Sequence, residues 1–191
     1  GFTDLDREGM LIEGFDELGT LATLYNFPYY PEHLAYHGFD KDTDWLEYEL
    51  QVPTSLDPRI SSAKDIILER NQLRLISPKN KRELLSYGPD IFELTNKEYS
   101  HLYGAVPLSE REIQHYIDTY FGFVHPDFIP LIINEQKKLV AFGVAIPSLS
   151  RALQKSRGRL FPLGWWRLLR ALNKNPRADL YLVAVEKRYQ G

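Results

Sequence analysis

The sequence predicts an α+β protein built on a mixed α/β-type sheet, and three observations carry that expectation. Four short runs rich in branched and aromatic residues, at 73–76, 128–133, 139–146 and 180–185, have the length and composition of strands. Between them lie helix-start signatures, Asn80 with Glu83 and Ser109 with Glu112, each followed by apolar residues at helical spacing. A hydrophobic fraction of 43%, with 13% aromatic residues, is ample for a packed core and excludes a disordered chain.

In chain order, residues 1–27 are acidic and glycine-spaced, a composition that favours turns around short extended pieces. Their carboxylates lack the terminal Glu of a calcium loop, so solvated turn acids are expected rather than a metal site. Pro31 opens a short helix over Glu32 to His37, with Gly38 as its stop. Trp45 to Val52 alternates Trp45, Glu47 and Glu49 against Leu46, Tyr48, Leu50 and Val52, the pattern of a half-buried strand. Residues 53–58 form a loop and module boundary. A helix over Asp57 to Asn71 follows, with Ile60, Ala63 and Ile67 on one face.

Leu73 to Ile76 is a strand ended by Ser77-Pro78. Helical character then runs from Asn80 towards Gly104, with a break at Gly88-Pro89. The segment after Ser109 is the clearest helix, since Ile113, Tyr116, Ile117, Tyr120, Phe121 and Val124 share one stripe. His115 lies off that stripe and reads as a surface residue. Asn134 to Lys138 is a polar turn joining two antiparallel strands. Beyond Ser150 come a short basic helix, Arg151 to Arg157, and an amphipathic one, Trp165 to Lys174. The latter sets Trp165, Leu168, Leu169 and Leu172 against Arg167, Arg170 and Lys174. That pattern suits a core-packed helix or one lying on a membrane surface. The last strand, Asp179 onward, has an apolar run that suits a buried position.

Composition removes several function classes. A net charge of −3 offers no general basic face for nucleic acid. No stretch approaches the roughly 20 apolar residues of a membrane-spanning helix. With no cysteine there is no disulfide, thiolate metal site or cysteine nucleophile, which fits a cytoplasmic protein. The first residue is Gly rather than Met, and the last strand stops at Gln190-Gly191, so sequence is expected beyond both ends.

From residue 73 the order strand, helix, helix, strand, strand, helical insertion, strand resembles the N-terminal half of the acyl-CoA N-acyltransferase (GNAT) superfamily. In that family a long fourth strand runs into a pyrophosphate loop, Gln/Arg-x-x-Gly-x-Gly/Ala. Here Val183 to Gly191 is similar to that approach, with Gln190 in the first motif position. Residues 1–52 resemble the other end of the fold: Asn26, the helix before Gly38-Phe39, and the strand Trp45 to Val52. The expected organisation is therefore tandem: residues 1–52 from a first module, 53–72 a linker and helix, and 73–191 the start of a second module. The segments Gly1-Phe-Thr-Asp, Glu13-Gly-Phe-Asp, Pro147-Ser-Leu-Ser and Phe161-Pro-Leu-Gly-Trp are similar to a group of bacterial proteins of this superfamily.

The resemblance implies acyl transfer from acetyl-CoA or a longer acyl-CoA to a small amine, without a metal. It implies that backbone N–H groups of Val183, Ala184 and Val185 hold the thioester oxygen, and that the phosphates sit after Gln190 and Gly191. Glu186 is a candidate base or water-positioning group, with an ordinary surface carboxylate as the alternative. Tyr30 is a candidate acid for the departing thiolate. Family members often carry that tyrosine four residues before the Gly of Gly-Phe, where this chain has Leu34; Tyr30 lies a turn earlier and Tyr36 two residues later. Ser148 and Ser150 are candidate substrate contacts or helix caps, and Trp165 a pocket wall or core residue. The competing class is a non-catalytic binding protein on the same scaffold.

Overall fold

The computed structural model describes residues 9–121 and 124–190. The N-terminal residues of the chain and Gly191 lie outside the described residues, so the acidic segment before Gly9 and the role given to Gly191 cannot be placed.

Local signals start and stop the helices as their chemistry requires. Helix α1 spans Tyr30–Tyr36 with Pro31 in its first turn, and Gly38 closes it at φ +81°, a conformation that suits a residue without Cβ. Helix α2 is Pro58–Arg70; Asp57 caps it by accepting from Arg59 N–H at 2.8 Å. Strand β1, Arg74–Ile76, leads to α3, Lys81–Ser86. There the Asn80 side chain accepts from Glu83 N–H at 2.9 Å, while the Glu83 carboxylate reaches Lys79 N–H instead of that of Asn80. Helix α4 is Gly88–Tyr99 and α5 is Glu110–Tyr120, opened by the reciprocal Ser109–Glu112 box.

Strand β2, Leu131–Ile133, turns at Asn134 into β3, Leu139–Pro147. Asn134 closes the turn on Lys138 twice: its own N–H donates to Lys138 O at 3.0 Å, and its Oδ1 accepts from Lys138 N–H at 2.9 Å. Helices α6, Ser150–Ser156, and α7, Gly164–Asn173, form a hairpin before β4, Ala178–Val185.

The sheet order is β1-β2-β3-β4 with every neighbouring pair antiparallel. The α+β class therefore holds, but the sheet among the described residues is purely antiparallel rather than mixed. Helices α4 and α5 cover one face. Leu84, Ile91, Ile129, Leu131 and Val124 are closed to solvent, with Phe92 against Phe121 at a ring separation of 6.1 Å. A side-chain clamp fixes the α4–α5 connection: Asn96 Oδ1 accepts from Leu108 N–H at 2.7 Å and its Nδ2 donates to Leu108 O at 2.9 Å.

Two expectations are corrected. Trp45 to Val52 pairs with no strand among the described residues; side-chain contacts, not a backbone ladder, tie it to the rest of the chain. Its odd positions turn towards the rest of the chain and its apolar even positions outward, with Leu50 and Val52 almost wholly exposed. The strand β4 is also not buried: it is the sheet edge, Leu180 is 67% exposed, and only Ala184 along it is buried. No described residue from 9 to 77 is buried, so Ile60 and Ile67 on α2 are exposed too. The core belongs to residues 78 onward.

Replacing Ile91 with Ala is expected to cost about 2–5 kcal/mol, the range for emptying a closed core site. Replacing Ile67 with Ala is expected to cost well under 1 kcal/mol, because its side chain stands in solvent. Urea unfolding of both variants checks the contrast.

Candidate functional site

The candidate site is the free edge of β4 and the turn that follows it. Its backbone geometry follows from register. Phe142 pairs with Ala184 and Ala141 with Val185, and Glu186 N–H donates to Val140 O at 2.7 Å. In an antiparallel ladder the hydrogen-bonded positions alternate, so Ala184 is spent on β3 while Val183 and Val185 turn their backbone groups outward. Val183 N–H donates to the Tyr99 hydroxyl at 3.3 Å, and that hydroxyl donates to Val183 O at 3.1 Å. Gln190 folds back so that its Nε2 donates to Val185 O at 2.6 Å. Of the three N–H groups singled out in the sequence, two point away from β3, and one of these is held by Tyr99.

The register skips one residue between Val144↔Leu182 and Ala145↔Leu180. Tyr181 is the extra residue of this bulge, a device that bends and re-aims an edge strand. Burial pushes the Tyr181 hydroxyl up to about 12, helped by the negative charges of Asp179 and Glu47. Burial also raises the Asp179 carboxyl, opposed by the Ser148 hydroxyl and by Tyr181.

Glu186 sits just past the strand with its side chain 13% exposed. Lys97 Nζ donates to it at 2.7 Å and Arg188 Nε at 3.1 Å. The Lys97 ammonium holds its carboxyl below the ordinary range, more than offsetting the burial that opposes it, with Arg188 adding to the effect. Such a carboxylate is a poor proton acceptor and a good anchor for cations. Glu98, the next residue after Lys97, is nearly buried, its Oε1 without a hydrogen bond among the described residues and 3.7 Å from Lys97 Nζ.

The remaining sequence-derived residues scatter. Tyr30 opens α1 and lines a cup of about 390 Å³ together with Met10, Tyr25, Asn26, His33 and Leu34; no residue of β4 takes part. Ser148 and Ser150 do not cap α6: Leu149 holds the cap position without a side-chain bond, and Ser150 Oγ is buried without a hydrogen-bond partner among the described residues. Ser148 is instead tied to the start of β4, its backbone N–H to Arg177 O at 3.0 Å and its hydroxyl to the Asp179 carboxyl. Trp165 is not a core residue; it is half-exposed and its Nε1 donates to Pro162 O at 3.0 Å. Reading the sequence missed Tyr99, Lys97 and Glu98. Their adjacency to a strand more than eighty positions away leaves no local signal.

The segment Asp42–Glu49 runs past the first half of β4. Arg177 pairs with Glu49 at 3.1 Å, Trp45 meets the Tyr103 ring edge-on at 5.8 Å, and the Tyr103 hydroxyl donates to Asp42. Glu47 is held on its other side by the Thr23 hydroxyl at 2.6 Å.

No metal-ligating group of three or more His, Cys, Asp or Glu occurs among the described residues. No family model matches the chain, and no solved structure matches it. The chain is 28% identical over 187 residues to Protein YghO of Escherichia coli (strain K12), which aligns with 96% of the chain and 47% of that protein. The chain thus spans about half the length of the curated relative it matches.

The depressed Glu186 carboxyl has a signed consequence. Its pairing contributes stability that is present above the ordinary carboxylate pKa and is lost as pH falls through the lower, folded value. Glu186→Gln is expected to lower stability at neutral pH and to converge with the wild type below about pH 4, so that the acid side of its stability–pH profile is flatter. Urea midpoints measured across that range check it, and an unchanged acid limb would count against the ion-pair account.

Proposed function

We propose that the chain is part of an acyl-CoA-dependent N-acyltransferase, transferring an acyl group from a CoA thioester to an amine. The observation that carries the reading is the edge of β4, where Val185 turns its N–H outward just before the turn that holds Gln190. Strand N–H groups ahead of Gln190, after the element order from β1 to β4, are what the resemblance to the GNAT superfamily leads one to expect. In the reaction the amine nitrogen attacks the thioester carbonyl, the C–N bond forms, the C–S bond breaks and the thiolate takes up a proton. Val185 N–H is the available donor to the carbonyl oxygen, and that of Val183 becomes one if the Tyr99 hydroxyl moves aside.

Within this reading Glu186 works by holding Lys97 and Arg188 beside the turn, where two cations suit the phosphates of CoA. It is the water-positioning and charge-holding choice, not the base, that its ion pairs favour. Tyr30 would need a ligand reaching across from the N-terminal cup to act as an acid. The tandem division at 52 and 73 belongs to the same proposal, and the exposed apolar residues before residue 78 support a first module completed by other chain.

A non-catalytic binding role is the second reading, favoured by Leu34 in place of a tyrosine and by the occupied Val183 N–H. Calorimetry with acetyl-CoA and longer acyl-CoAs separates them from an unrelated function. Saturable heat with at least one thioester is expected, and Glu186→Gln should weaken it roughly tenfold by releasing the two cations. No heat with any acyl-CoA would remove both the enzyme reading and the CoA-binding scaffold.

A further inference from the structure

The α6–α7 hairpin has no part in the acyl-transfer reading, and its surface is unlike the rest of the protein. Residues 150–178 hold eight Lys and Arg and no Asp or Glu, in a chain of net charge −3. Seven of the eight, those before Arg177, pair with no carboxylate among the described residues. The tip between the helices is apolar and stands in solvent: Phe161 is 78% exposed, Leu163 56% and Leu160 53%. Trp165 and Trp166 follow, each 47% exposed.

The tip is held rigidly. Gly164 has no room for a side chain, since a Cβ there would lie 1.9 Å from Arg159 O. Trp165 N–H donates to Leu160 O at 2.8 Å, and Arg167 Nη1 donates across the hairpin to Lys155 O at 2.8 Å. Ala152 on α6 is buried, and α7 packs on α6 and β3, so the apolar residues are presented by a fixed scaffold. The exposed surface is thus built in, with the exposed Arg157 and Arg159 just ahead of the tip in the chain and Arg170 over the Trp166 ring at 5.5 Å.

We propose that this hairpin docks the protein on an anionic lipid surface, the apolar tip and the tryptophans entering the headgroup region while the arginines meet lipid phosphates. Each part has a physical reason. Exposed Leu and Phe side chains gain by leaving water, indole rings favour the interface, and Arg stems extend their heads to phosphate. The missing carboxylates matter as much, because any acid here would be repelled by the same surface. A nucleic-acid strand would satisfy the arginines and stack on the rings but offers nothing to Leu160 and Leu163. The hairpin lies on the surface and does not span: no helix among the described residues is long and apolar enough to cross a membrane. The proposal stands independently of acyl transfer.

Flotation on a sucrose gradient tests it, with vesicles of phosphatidylcholine alone and of phosphatidylcholine mixed with phosphatidylglycerol. The protein is expected to float with the mixed vesicles only, with tryptophan emission moving to the blue. Raising the salt to about 0.5 M should cut the bound fraction about tenfold, as screening at that strength shortens the reach of each charge. The double variant Phe161→Ser with Leu163→Ser should stay in the bottom fraction with an unchanged thermal melt. The pair Arg157→Gln with Arg159→Gln gives a second, charge-only reduction should the first variant fold poorly. Wild-type protein left in the bottom fraction with mixed vesicles would overturn the proposal. So would equal flotation with neutral lipid, flotation indifferent to both variants, or competition by a single-stranded oligonucleotide that displaces the vesicles.

Discussion

The β3–β4 ladder is the constraint on which the rest of the structure depends. Strand β3 is the most buried element of the sheet, and β4 is held by it on one side alone. That single-sided pairing sends alternate backbone groups of β4 to the outside, and the bulge at Tyr181 shifts which residues they are. The same ladder brings the ends of the α6–α7 hairpin together, since β3 ends at Pro147 and β4 begins at Ala178 opposite it. Both the candidate ligand edge and the basic hairpin are thus outcomes of one antiparallel pairing. A change that loosened Phe142 or Val144 would disturb the two at once.

An unpaired edge is a hazard for most sheets, and the structure limits it in two ways. The Tyr99 hydroxyl occupies the outward groups of Val183, and the ion pair of Arg177 with Glu49 keeps an extended segment alongside the first half of the strand. Neither is strong: the carboxylate and guanidinium are both substantially exposed, a setting in which such pairs contribute about 0–1 kcal/mol. The edge is therefore covered loosely. Loose cover is compatible with a ligand displacing a hydroxyl, and it fits a surface that other chain elements complete.

What was legible in the sequence was what is local. The Ser109–Glu112 box, the Asn80 cap and the Gly38 stop depend on neighbours within four positions, and each formed where the spacing required. The hairpin from Leu131 to Pro147 was legible for the same reason. Burial was not, because it depends on what lies opposite. The alternation of Trp45 to Val52 describes a strand, yet no ladder awaits it; the apolar run of β4 describes a central strand, yet it lies at the edge. Among the site residues, Gln190 folds back onto Val185 O, a contact between positions five apart that the sequence pattern did not announce. The ion pairing of Glu186 with Lys97 spans 89 positions and left no trace in either segment. Ser148 and Ser150 look like caps by type, but backbone bonding near Pro147 and burial took them elsewhere.

The central claim is that the outward backbone of β4 receives an acyl oxygen. Amide chemical shifts of residues 183–185, followed while a non-hydrolysable acyl-CoA thioether is added, test it most directly. The account predicts saturable movement of the Val185 amide, accompanied by that of Val183 as Tyr99 gives way, while the Ala184 amide, bonded to Phe142, stays nearly still. Binding of the thioether with no change at Val183 or Val185, or a change largest at Ala184, would contradict it.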